Sequence, residues 1–107
     1  LANEYHDLQI LRAIKEDVSQ TSIAQEVGYS LGKVNFILQA LIEKGLIKTE
    51  KFISSNNRMK YKYLLTKEGA KEKILLTEKF IARKKAEYEE LQRELEVDTQ
   101  KWGGQIK

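Results

Sequence analysis

The 107-residue chain has no cysteine and no proline, and only one histidine, one methionine and one tryptophan. Without cysteine it can form no disulfide, no thiolate metal site and no thiol-based sensor, and a cytoplasmic location is the expectation that fits. The lone histidine, His6, has no cysteine or clear acidic partner at a metal-ligand spacing and reads as an ordinary surface or helix-start residue. No glycine-rich phosphate loop follows a strand. Paired carboxylates such as Glu89 and Glu90 sit in a charge-dense stretch that reads as a solvated helix face. The chain is therefore expected not to be an enzyme and to use no cofactor or metal. No apolar run approaches the roughly 20 residues that cross a bilayer, and no charged-then-apolar segment opens the chain, so no membrane association is expected. With no proline, glycines and capping residues must divide the chain.

What is present has the balance of a folded, charged-surfaced protein: 41% hydrophobic and 33% charged residues, net charge +3. The length suits one modest core with an appendage. The charge is unevenly spread. Residues 1–29 carry two basic and five acidic side chains, net −3; residues 30–62 carry seven and two, net +5; residues 63–107 carry ten and nine, net +1. A basic region confined to the middle third is the electrostatic footprint of nucleic-acid binding.

Periodicity gives the organisation. Leu8, Leu11, Ile14 and Val18 form one helical stripe in a segment from about Glu4 to Asp17. Ser19 is a plausible N-cap for a short second helix with Ile23, Ala24 and Val27 inward, stopping at Gly28. Ser30 caps a third helix with Val34, Leu38, Leu41 and Ile42 inward and Ile37 at the border, ending at Gly45. Two helices joined through a short glycine-containing turn describe a helix-turn-helix. The period then becomes strand-like over Leu46–Ile53. Ser54–Asn57 is turn chemistry. Met59, Tyr61, Tyr63 and Leu65 alternate with Lys60 and Lys62, which completes a β-hairpin, the wing. From Thr66 a long helix follows, with Ile74, Ile81, Tyr88 and Leu95 at intervals of seven and Leu91 as a second seam position. The tail from Lys101, with Trp102, Gly103 and Gly104, reads as frayed.

The fold class is thus mainly α with a small β-hairpin: a winged helix-turn-helix over residues 1–66, a long C-terminal helix over 67–100 that dimerises, and a flexible tail over 101–107. The candidate DNA-binding residues are Ser30, Leu31, Gly32, Lys33, Asn35, Phe36 and Gln39 on the third helix and Asn57, Arg58 and Lys60 on the wing. Lys33 can donate to guanine or to a phosphate, and Asn35 and Gln39 can pair with adenine edges. Gly32 lets a phosphate approach the free N–H groups of the helix start. Phe36 either packs on the second helix or touches a thymine methyl or sugar edge. Arg58, at the hairpin tip, suits the negative potential of a narrow minor groove. Lys48, Lys51 and Lys62 suit phosphates. Ile74, Ile81, Tyr88, Leu91 and Leu95 are the candidate dimerisation residues, and a two-fold dimer would set two recognition helices about 34 Å apart.

The segment Ser30–Lys48, SLGKVNFILQALIEKGLIK, followed by a wing ending in LLTKEG, Leu64–Gly69, resembles the MarR family of bacterial transcriptional regulators. Within that family it is most similar to the small subgroup associated with exopolysaccharide synthesis. The likeness covers about residues 5–69. The family's LT-x-x-G element falls on Leu65, Thr66 and Gly69, and its wing arginine on Arg58. The family's usual aspartate two positions earlier is Asn56 here. Larger members dimerise through helices at both ends and bind small phenolic ligands at that junction. This chain is shorter, lacks most of the N-terminal helix and shows no readable ligand pocket, so no effector is carried over. The resemblance implies a homodimeric, sequence-specific regulator of double-stranded DNA. The charged helix from Glu78 to Glu96 keeps a second reading open: a winged-helix protein-interaction or oligomerisation module without specific DNA binding.

Overall fold

The computed structural model describes residues 2–16 and 18–106. The order is α1 (Ala2–Ala13), α2 (Gln20–Val27), α3 (Leu31–Glu43), β1 (Ile47–Ile53), β2 (Met59–Leu65) and α4 (Lys67–Ile106). The chain forms two compact units, residues 1–77 and 78–107.

In the first unit, local chemistry sets each helix boundary. The Ser19 hydroxyl accepts from the Ser22 amide at 3.1 Å while the Ser22 hydroxyl accepts from the Ser19 amide at 3.0 Å, a reciprocal cap at the start of α2. Gly28 closes α2 in the left-handed conformation, φ 77°, its amide donating to the Ala24 carbonyl. Two residues later the Ser30 hydroxyl accepts from the Lys33 amide at 3.2 Å and starts α3. The Gln20 amide side chain donates to the Leu31 carbonyl at 3.2 Å and ties the two helix starts together. At the other end of α3, the Leu46 amide donates to the Leu41 carbonyl and the Gly45 amide to that of Ile42, with Gly45 at φ 77°. This paired arrangement satisfies the last carbonyls and turns the chain directly into β1.

The core of this unit is built from Leu8, Ile10, Leu11 and Ile14, Ile23 and Ala24, Val34, Ile37, Leu38 and Leu41, Ile47 and Leu76. Ile10, Leu11, Ile23, Leu38 and Leu41 are fully buried, and burial of such a side chain contributes roughly 1.5–3 kcal/mol. The stripe expected on α1 lacked Ile10. Because α1 packs against both α2 and α3, it buries more than one stripe. Val18 and Val27 are half-buried. On α3 the expected roles are exchanged: Ile37 is inside, and Ile42 is half-buried near the turn out of the helix. Helix α1 stops at Ala13, where the Ile14 amide reaches back only to Leu11, so the chain turns early enough for the Ser19 cap. Asp17, the expected end of this helix, lies outside the described residues.

The hairpin is antiparallel, pairing Ile47 with Leu65 at its base and Ile53 with Met59 at its end. Residues 54–58 form the loop. Asn57 sits in the left-handed region, φ 56°, and the Ser54 and Arg58 backbones close the turn. Glu50 and Lys62 stand directly opposite and form an ion pair at 3.7 Å.

The second unit is the continuation of α4, which extends through Ile106 instead of fraying from Lys101. Gly103 and Gly104 stay helical. A glycine costs an established helix only about 1 kcal/mol, and nothing here turns the chain as at Gly28 and Gly45.

Candidate nucleic-acid interface

Helix α3 presents two opposed faces. Val34, Ile37, Leu38 and Leu41 are buried. Gly32, Phe36, Gln39 and Glu43 recur every three to four positions on the opposite side, and all four are exposed. Leu31 and Asn35 are exposed beside them. The structure thus brings Leu31, Gly32, Asn35, Phe36 and Gln39 onto one outward surface, with Ser30 at its N-terminal edge holding the cap. Phe36 does not pack on α2: it is 77% exposed, more than any other large hydrophobic residue of the described core or surface. Gly32 has open space where a side chain would begin, with no atom within 4 Å.

Lys33 lies on the flank of this surface. Its ammonium sits 3.9 Å from the centre of the Tyr29 ring, a cation–π contact. Tyr29 in turn meets His6 edge-on at 5.2 Å. Burial raises the Tyr29 pKa above its ordinary value, so the ring faces the lysine as a neutral phenol. The role of Tyr29 was missed in the sequence because it lies in the turn outside α3. The signal was its spacing of four from Lys33.

The wing residues Asn57, Arg58 and Lys60 are exposed at the far end of the hairpin. Among the described residues, neither Arg58 nor Lys60 has an acidic partner. Lys48 and Lys51 are exposed, the latter 5.8 Å above the Tyr61 ring. Lys62 differs from expectation. Strand register sets it against Glu50, which offsets its charge and makes it the least suited of these lysines to meet a phosphate. At the C-terminal end of α3, Lys44 reaches Asp7 at 3.8 Å.

On α4, the expected seam residues Ile74, Ile81, Tyr88, Leu91 and Leu95 are each more than half exposed. Trp102, missed as part of the tail, follows Leu95 by seven and continues the row. The described residues contain no cluster of metal-ligating side chains. No described helix is long and apolar enough to cross a membrane.

The family model for winged helix-turn-helix DNA-binding domains matches residues 4–48, the span of α1 to the start of β1. The fold is a winged helix-turn-helix. Among solved structures, it is similar to a PadR family transcription regulator from Clostridium difficile, with TM-score 0.71, 27% identity, and coverage of 81% of this chain and 98% of that one. It is also similar to Staphylococcus aureus MarR in complex with salicylate and kanamycin, with TM-score 0.64, 20% identity and coverage of 90% and 69%. A third is the S. aureus MepR–DNA complex, with TM-score 0.61, 21% identity and coverage of 97% and 76%. No curated protein matches the chain. The winged helix-turn-helix therefore recurs in transcription regulators of both the MarR–MepR and PadR kinds.

Proposed function

We propose that this protein is a homodimeric, cytoplasmic transcriptional regulator that binds double-stranded DNA sequence-specifically. In this reading α3 enters the major groove and residues 54–60 reach the minor groove. The observation that carries the reading is the outward face of α3. It is exposed, begins at a capped helix start, and lies in the basic middle third of the chain. Residues of the N-terminal half of a recognition helix meet base edges, and in this reading Leu31, Gly32, Asn35, Phe36 and Gln39, exposed over the first nine residues of α3, make that contact. Ser30 and Lys33 meet the backbone, as do Asn57 and Lys60 on the wing, while Arg58 reaches into the minor groove. A structure with this fold has been solved on DNA, that of S. aureus MepR. The sequence likeness of Ser30–Lys48 and of Leu64–Gly69 supports a MarR-type regulator of the exopolysaccharide-associated subgroup.

The dimer is proposed from α4. Ile81, Tyr88 and Leu95 are exposed on a row that repeats every seven residues, with exposed Leu91 as a second seam position, which suits a second copy of the same helix. Ile74 stands one repeat earlier. On this division residues 1–66 read DNA and 67–100 carry the dimer contact.

The test is selection from a random duplex pool with the purified protein. Recovery of a shared two-fold-symmetric sequence supports this function. No enrichment over a scrambled pool supports the protein-interaction module, for which the charged helix from Glu78 to Glu96 is the motivating feature.

A further inference from the structure

We infer that Phe36 recognises the 5-methyl group of a pyrimidine, a thymine in ordinary DNA, on the floor of the major groove. The inference rests on the reading of α3 as the groove helix and goes further by assigning this residue a chemical target. The phenyl ring has no donor or acceptor, so it cannot read a base edge by hydrogen bonding. The apolar group that a base pair offers in the major groove is the thymine methyl. Cytosine methylated at the same carbon presents the same group.

Three features of the structure aim the ring there. Phe36 lies on the row Gly32–Phe36–Gln39, opposite the buried row of α3, and is 77% exposed. Side chains of a helix lean towards its N-terminus. The residue one turn before Phe36 is Gly32, which has open space at the Cβ position, so no neighbouring side chain shields the ring on that side. Lys33, the long cation nearest in sequence, is engaged with the Tyr29 ring on the flank. An ammonium is therefore not held over the Phe36 ring. Asn35 and Gln39 stand beside it as polar readers for neighbouring bases.

The experiment uses the full chain and the duplex recovered by selection. Each thymine is replaced in turn by deoxyuridine, which removes only the methyl group, and affinities of the wild type and Phe36→Ala are measured at one salt concentration. The expected result is one thymine per half-site whose replacement weakens the wild type about three- to fivefold, what burial of one methyl group supplies. Phe36→Ala should bind the two duplexes equally and melt at the wild-type temperature, since the ring is exposed. At that position 5-methylcytosine should bind the wild type more tightly than cytosine, and the variant should not distinguish them.

The inference is overturned if no uracil replacement affects the wild type more than it affects Phe36→Ala. That holds even if the variant binds weakly, because the ring would then be meeting sugar. It is also overturned if Phe36→Ala binds like the wild type and loses only a protein partner or self-association. Failure to recover any duplex would sink the groove reading itself, a different outcome from binding that ignores the methyl.

Discussion

The Thr66 hydroxyl donates to the Gly45 carbonyl at 2.6 Å. The same oxygen accepts from the Gly69 amide at 2.9 Å, which caps α4. One side chain thus joins the end of the recognition helix to the start of the last helix, with the whole wing looped out between them. Gly69 is buried, and a Cβ there would fall onto the Leu46 carbonyl. The LT-x-x-G element therefore has a physical reading: a cap, and a glycine that lets α4 cross the chain leaving α3. Gly69→Ala is expected to cost about 1–3 kcal/mol by forcing backbone apart. Thr66→Val should cost about 1 kcal/mol through loss of the cap. Urea denaturation of the purified variants checks both.

Gly32 separates stability from function. It is helical and exposed, with room for a methyl group, so Gly32→Ala should stabilise the protein by up to about 1 kcal/mol. On the proposed reading the added methyl stands where a base or phosphate approaches. A raised melting temperature with weakened duplex binding is the expected pair of results. A stabilised variant with unchanged affinity would remove Gly32 from the interface.

The Tyr29 contact holds the Lys33 ammonium on the flank of α3, and on the proposed reading it meets the DNA backbone rather than a base. Lys33→Ala should weaken all duplexes alike and reduce the slope of log affinity against log salt by about one. A change in preference at a single base pair, with the slope intact, would instead make it a base reader.

The α4 row should tolerate no charge at its centre if it pairs with a second copy. Tyr88→Glu and Leu91→Glu are both at exposed positions, so the fold of the single chain should survive. Sedimentation is expected to show wild-type dimers and variant monomers. Helical content by circular dichroism should be little changed.

Asp7 gives a pH-dependent term of definite sign. Burial raises its pKa above the ordinary carboxylate value, and the nearby Lys44 opposes this only in part. The folded chain therefore holds the proton to higher pH than the unfolded chain does. Stability from this group falls as pH rises through that interval and stays lower above it. Asp7→Asn should consequently be more stable than the wild type at pH 7. The advantage should shrink in acid, below the ordinary carboxylate range, as denaturation at the two pH values would show.

Features governed by local chemistry were legible in the sequence. Ser19 and Ser30 cap helices, Gly28 and Gly45 end them, and the alternation from Met59 to Leu65 is a strand. What was illegible depends on neighbours distant in the chain. Ile10 is buried because α1 is covered from two sides. Lys62 meets Glu50 only once the register is known. Phe36 stood between core and surface until its exposure placed it on the outward face of α3. The length of α4 was underestimated because the tail holding Gly103 and Gly104 was read as frayed, although a glycine ends a helix only where the chain must turn.

The most direct test is the affinity of the purified protein for its selected duplex and for a scrambled duplex of the same length, at one salt concentration near physiological. A preference of about a thousandfold or more for the selected sequence is expected of a specific regulator. Equal affinity for the two duplexes, or none for either, would contradict the account.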